Sequence, residues 1–239
     1  MAKNRFRYQY EWANALADTD MSQPSDRARA LKLARSIMRR ARENIEQLVE
    51  NLRATKYRFV RRSWVHKPPD DDTSDRLDWL ESAGVRVPIS YRAWCEEVGS
   101  VCLMGSHRDW NQPAYVFKNT NTENGVLYTD PLVIWGVEAV EQSYKEWWER
   151  IHEFQDYTPL RVGFAPDEFH KANVSGGGPY EIACDRSCVD SIVLNERHSI
   201  GFVAYLRIVF EWGGFPGFEM MPDAPHEFIH ELKKGLLPI

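Results

Sequence analysis

The stretch "FVAYLRIVFEWGGFPGFE" (Phe202 to Glu219) decides the fold class. Phe202, Val203, Leu206, Val209 and Phe210 recur at three- and four-residue steps, so the first half reads as a buried helix, opening near Ser199. Two glycines follow, then Phe215 and Pro216. A phosphate cradle needs its glycines before a helix, where free N–H groups point outward. Here they come after one, where carbonyls are free. Gly213 or Gly214 is therefore expected at positive φ, closing the last turn. Phe215 is expected to fold back on the helix, and Pro216 forbids its continuation. These four residues form a structural helix stop.

Upstream of this helix the pattern alternates. "LVIWG" (132–136), "LRVGFA" (160–165), "YEIAC" (180–184), "SIVL" (191–194) and "AYVFK" (114–118) read as short strands. "NTNTENG" (119–125) is turn-forming. Between the strands, Val137, Val140, Tyr144, Trp147, Ile151 and Phe154 mark the buried face of a long helix. Leu77 and Leu80 mark a short helix ended by Gly84. Ser90 is expected to cap another, with Tyr91, Trp94, Cys95 and Val98 inside and Gly99 as its stop. Helices and strands follow one another without a regular βαβ winding, which points to an α+β fold.

The N-terminal part differs in charge. Residues 1–70 hold 16 Lys/Arg and 8 Asp/Glu, a net of +8, and residues 71–239 hold 14 and 27, a net of −13. Such a division marks either a nucleic-acid arm or two halves that attract each other. The arm reads as two helices. Asn4–Ala17 is amphipathic, "DTDMSQPS" breaks it, and Ser25 opens a second helix. Leu31, Ala34, Met38, Ala41, Ile45, Leu48 and Leu52 form a seam on that helix, which needs an apolar partner. The first helix, the main body or a second copy of the chain would serve, so a homo-oligomer through Leu31–Leu52 is one reading. Arg27, Arg29, Lys32, Arg35, Arg39, Arg40 and Arg42 crowd the opposite face, which reads as solvated. Arg58–Val65 suggests a strand. "KPPDDDTSD" then marks a linker, giving a basic helical arm (1–66), a linker (67–75) and an α+β domain (76–239).

Motifs for chemistry are sparse. "HEFIH" (His226 to His230) matches the zinc-hydrolase pattern H-E-x-x-H, but a third ligand is missing, with only Asp223 or His198 as upstream candidates, so no metal is expected. Cys184 and Cys188 lack a second pair at zinc spacing, and with Cys95 and Cys102 they read as reduced thiols. "SGGGP" (175–179) leads into a strand and reads as a turn. Asp167, Glu168, His170 and Lys171 in "PDEFHKAN" could do acid–base work, but read as a polar loop. No G-x-S-x-G elbow occurs. No cofactor is expected. No run of about 18 apolar residues suggests a membrane span, and the first residues lack a signal peptide's apolar core, so a cytoplasmic location is expected.

Four segments carry a family resemblance. "LDWLESAGVRVPISYRAWCEEVGSV", "DPLVIWGVEAV", "FAPDEFHKANVSGGGPYEIACDRSCVDSIVLNERHS" and "FVAYLRIVFEWGGFPGFE" together resemble the SUKH superfamily, the Smi/Knr-like proteins, over about Asp75 to Phe218. The resemblance implies a mixed sheet surrounded by helices. It also implies no catalysis: bacterial members are largely regarded as immunity proteins that bind and block toxins, often nucleases, and fungal members as regulatory scaffolds. On this reading the chain is a non-enzymatic protein-binding module with a toxin domain as partner. Loop acids that look exposed, Asp167, Glu168, Asp185, Asp190 and Glu196, are the contact candidates. A nucleic-acid-binding regulator acting through the basic arm is the alternative, and a zinc hydrolase at His226 and His230 a remote one.

Overall fold

The computed structural model describes residues 2–107, 114–116 and 126–239. Helix α1 (Ala2–Asp18) ends where Asp20 accepts hydrogen bonds from the Ser22 N–H (2.9 Å) and hydroxyl (2.7 Å), a local turn that competes with helix. Helix α2 (Pro24–Ala54) starts on proline, whose fixed φ suits a first turn. Gln23, rather than Ser25, occupies the capping position.

The seam of α2 is buried. Ala34, Met38, Ala41, Ile45, Leu48 and Leu52 are fully enclosed, and Leu31 is half-buried at the open end. Its partner is the chain's own body: α2 packs along α4 (Ile89–Glu97), so this seam is not free to join a second copy. Asn44 fixes the register of the C-terminal tail, donating to the Leu237 carbonyl (2.9 Å) and accepting from the Leu237 N–H (2.6 Å). The basic face is not simply solvated. Arg27 meets Glu81 (2.5 Å), Arg35 meets Glu96 (2.7 Å) and Arg39 meets Glu97 (3.7 Å). Arg92, almost buried, joins Glu96 (2.9 Å) and Glu81 (3.1 Å) from the other side. The charge division in the sequence is thus met by contact between its two halves.

The fold is α+β. The expected strand at Arg58–Val65 is divided into β1 (Arg58–Phe59), a 3-10 turn (Arg62–Trp64) and β2 (His66–Lys67). The turn is needed because the two pieces pair differently: β1 lies against β4 (Gly105–Ser106), and β2 against β3 (Ser100–Cys102). On the other side of β3 lies β7 (Val133–Ile134), with Val101 opposite both His66 and Ile134. The Trp135 N–H donates to the Phe164 carbonyl (2.8 Å), linking this sheet to the hairpin of β8 (Arg161–Ala165) and β9 (Tyr180–Ala183). Strands β5 (Ala114–Val116) and β6 (Val126–Tyr128) form a separate pair. The last two residues of the expected strand 114–118, and the turn at 119–125, lie outside the described residues. Every strand pairing among the described residues is antiparallel, where the resemblance implied a mixed sheet. "SIVL" makes only bridges, Glu181 with Leu194 and Ile192 with Gly201, because the segment changes partner halfway along.

Four more helices complete the fold after α3 (Thr73–Ser82): α5 (Val137–Phe154), α6 (Glu168–Lys171), α7 (Phe202–Glu211) and α8 (His226–Leu232). Alternation sends Val162, Phe164, Tyr180 and Ile182 to the inner face of the hairpin, where all are buried. Tyr91 of α4 and Phe202 of α7 meet there at 5.5 Å, and Phe164 meets Phe202 at 5.6 Å. Helix α7 starts three residues later than expected, since Ser199 sits at φ +51° and Gly201 caps it.

Both Gly213 (φ +61°) and Gly214 (φ +91°) are left-handed, as the helix stop requires. The Gly214 N–H returns to the Val209 carbonyl (2.8 Å) and closes the last turn, while its own carbonyl accepts from Leu132 N–H (2.8 Å) at the start of β7. Phe215 is fully buried. Its ring lies 5.7 Å from Tyr57 and 5.7 Å from Phe218, and Pro216 opens a 3-10 turn (Pro216–Met220) that packs on β6. Gly217 has the tightest surroundings: a side-chain carbon there would lie 1.8 Å from the Tyr128 carbonyl oxygen.

Candidate functional site

With one face of the sheet buried, the other is the floor of a broad groove. Cys102, Val133, Trp135, Arg161, Gly163 and Glu181 form that floor. Helix α5 is one wall, presenting Ala139, Gln142, Ser143, Glu146, Glu149 and Phe154, and Ser143 fixes its height by accepting from the Gly163 N–H (3.3 Å). The 3-10 turn after β1 is the other wall, with Val60, Arg61 and Trp64. The groove has a volume of about 1660 Å³. Its rim is aromatic: Trp64 is 57% exposed, Trp135 42% and Phe154 72%.

Charge on the groove is mixed and partly paired. Lys67 meets Glu138 (3.1 Å), and Arg161 meets Glu181 (3.6 Å). Arg61 lies 4.3 Å from the centre of the Trp64 ring, a cation–π contact rather than an ion pair. Among the described residues Glu146 accepts only from the neutral amide of Gln142 (2.7 Å).

Phe154 was expected on the buried face of α5, but only Val137, Ala139 and Val140 of that helix are buried. About five turns of helix outrun the short strands beneath, so the apolar stripe continues past its support. The signal missed in the sequence was this mismatch of lengths: an 18-residue helix beside strands of two and five residues.

The five acids expected as contacts separate into different roles. Asp185 alone is exposed. Asp167 is buried and caps α6, accepting from the His170 N–H (2.8 Å) and lying 2.7 Å from the His170 ring. Glu196 is buried, accepting from the His198 N–H (2.8 Å) and meeting its ring Nδ1 (2.6 Å), whose Nε2 reaches Glu219 (2.5 Å). Glu168 is half-buried and accepts from the Tyr180 hydroxyl (2.7 Å). Acids in loops looked exposed in the sequence, yet loop turns and helix starts have N–H groups that draw carboxylates inward.

Asp190 is the clearest case. It accepts from the Ser90 hydroxyl (2.6 Å), the Ser191 N–H (3.1 Å) and the Val203 N–H (3.3 Å), tying the start of α4 to the start of α7. Ser90 therefore holds Asp190 and does not cap α4, whose capping residue is Pro88. Burial pushes the Asp190 carboxyl up to about 6, against these hydrogen bonds, which favour the carboxylate. The folded chain then holds a proton that the unfolded chain has released, so this residue's contribution is full below pH ~4 and is lost as pH rises to about 6. Comparing urea midpoints of the wild type and Asp190→Asn across that window isolates it. The difference between them should change by on the order of 2–3 kcal/mol; parallel curves would refute the assignment.

A second polar cluster lies inside the body. Lys171 Nζ is 2.5 Å from Asp130 Oδ1, with both side chains fully buried, and 4.5 Å from the centre of the Tyr180 ring. The Tyr180 hydroxyl is also within 3.1 Å of Asp130. Burial, and then the Asp130 charge, push this phenol far above its ordinary range. Of the residues that looked suited to acid–base work, Asp167 and His170 meet each other, Lys171 is held by Asp130, and Glu168 accepts from Tyr180.

His226 and His230 sit one turn apart on α8. His230 is well exposed, and the His226 ring lies 6.3 Å from Trp212. Among the described residues no three His, Cys, Asp or Glu side chains come together in a way that could hold a metal ion. The four cysteines are thiols; Cys95 and Cys184 are buried, and burial raises both. No helix among the described residues is long and apolar enough to cross a membrane. No family model matches the chain, and neither a curated protein nor a solved structure matches it.

Proposed function

We propose that the chain is a non-enzymatic protein-binding module whose contact surface is the groove between α5 and the turn after β1. The size and lining of the groove carry this reading. At about 1660 Å³ it exceeds the ~300–1,000 Å³ of usual small-molecule sites, and exposed Trp and Phe at a rim are the side chains that anchor protein interfaces. The internal pairing of Lys171 with Asp130, and of Glu168 with Tyr180, supports a binding role over a catalytic one. The resemblance to immunity proteins makes the partner a toxin domain, and a cytoplasmic location fits that role. Pairing of the α2 arginines with Glu81, Glu96 and Glu97 argues against the nucleic-acid regulator, since those cations are already engaged.

The test is co-expression with a toxin encoded next to this chain's gene, where one is found, scoring survival. Rescue by the wild type, lost in Trp135→Glu with an unchanged circular dichroism spectrum, is the expected result. Absence of rescue together with tight, salt-sensitive binding of duplex DNA would overturn the reading in favour of the regulator.

A further inference from the structure

Away from the groove, α5 turns a second face outward, next to α3. Four rings run along it. Trp79 of α3 meets Tyr144 edge-on at 5.8 Å, Tyr144 lies 6.1 Å from Trp148, and His152 stacks on Trp148 at 3.9 Å. Trp79 is 58% exposed and Trp148 49%. Two half-exposed tryptophans held in one row are costly to leave in water, and Trp is among the residues concentrated at binding hot spots.

The charge around the row selects its occupant. Residues 70–82 carry five Asp and one Glu against one Arg, and on α5, where Glu138, Glu146, Glu149 and Arg150 line the groove, Glu141 accompanies the row with Lys145. Arg76 is taken up by Glu141, Asp70 and Asp72, and Lys145 is exposed beside the row on α5. The Asp78 carboxylate stays 67% exposed while accepting from Arg92 (2.6 Å). A second copy of the chain would bring the same negative face, and nucleic acid or an anionic membrane would be repelled. A cationic polypeptide is attracted. Among cations, guanidinium suits best, because its plane stacks on indole while its edge donates to carboxylate. Arg61 over the Trp64 ring shows the stacking contact within the chain itself.

We propose that the α3–α5 face, centred on Trp79, Tyr144 and Trp148, docks an arginine-rich segment of a partner protein. The inference deepens the protein-binding reading by giving the partner's chemistry at a surface distinct from the groove.

The experiment measures fluorescence anisotropy of a labelled alternating Arg-Gly peptide, with a Lys-Gly peptide of equal charge as its control, on the full chain. The Arg-Gly peptide should bind more tightly than the Lys-Gly peptide. The double variant Trp79→Ala/Trp148→Ala should lose about tenfold of the Arg-Gly affinity, the scale of one or two cation–π contacts. Trp79→Phe/Trp148→Phe, which keeps the rings and preserves folding, should retain most of it, and Trp135→Glu in the groove should retain all. Equal binding of the two peptides would reduce the effect to general charge attraction and overturn the proposal. So would undiminished binding by the alanine variant, or loss only in Trp135→Glu. The survival assay on groove variants reads the broader protein-binding role separately, so either reading can fail while the other stands.

Discussion

Replacing Lys171 with alanine should cost about 3–5 kcal/mol of stability, because the Asp130 carboxylate would stay buried without its cation. Hydration cannot replace the ammonium, since both side chains are fully buried. Tyr180 cannot compensate either: its hydroxyl has one proton, and both Asp130 and Glu168 are within reach of it. The effect should depend on the pair rather than on packing alone. Lys171→Met keeps most of the stem, and Asp130→Asn suits the left-handed backbone at φ +50° while removing the charge. The double variant should therefore be more stable than the sum of the single losses implies, by about 2 kcal/mol or more. Urea denaturation of all four proteins closes the cycle. Strict additivity would show that the pair is two independent residues.

This pair also marks the limit of what the sequence made legible. Lys171 was read in a polar loop with Asp167, Glu168 and His170, and nothing local linked it to Asp130, forty-one residues earlier. Periodicity reports which face of an element is buried, so the helices and most strands were readable: α7 through Phe202 to Phe210, α3 through Leu77 and Leu80, and the hairpin through Val162, Phe164, Tyr180 and Ile182. The glycine stop was readable because polarity along a helix is a local property. What periodicity lacks is partnership. It gave the α2 seam without its partner, and gave acids in loops without the N–H groups that bind them. The groove was hidden for a related reason. Trp135 closes the apolar run Leu132–Trp135 and Trp64 stands among polar neighbours, and only the assembled fold shows that both rim one uncovered groove.

The largest expected effect comes from the α2 seam. Ile45→Asp places a carboxylate at a fully enclosed position within the core cluster, and should cost at least about 4 kcal/mol, from the lost apolar contact plus an unpaired buried charge. For a domain of ordinary stability, ~5–15 kcal/mol, that is enough to unfold much of the population. The ion pairs on the same helix give the contrast. Arg27 and Arg39 remain 44% and 52% exposed, so Arg27→Ala or Arg39→Ala should each cost no more than about 1 kcal/mol. Comparing the three by chemical denaturation separates two meanings of the basic helix. If it is a detachable arm that touches the body only through its charges, Ile45→Asp should leave the melting of the body intact and lose only helical signal. If it is a wall of the core, as its packing along α4 indicates, the whole chain should lose its single cooperative transition, including the near-ultraviolet signal of Trp94 on α4, fully buried in the same cluster. The arginines would then serve to orient the helix on the acids of α3 and α4, with the apolar seam supplying most of the binding energy between the two halves.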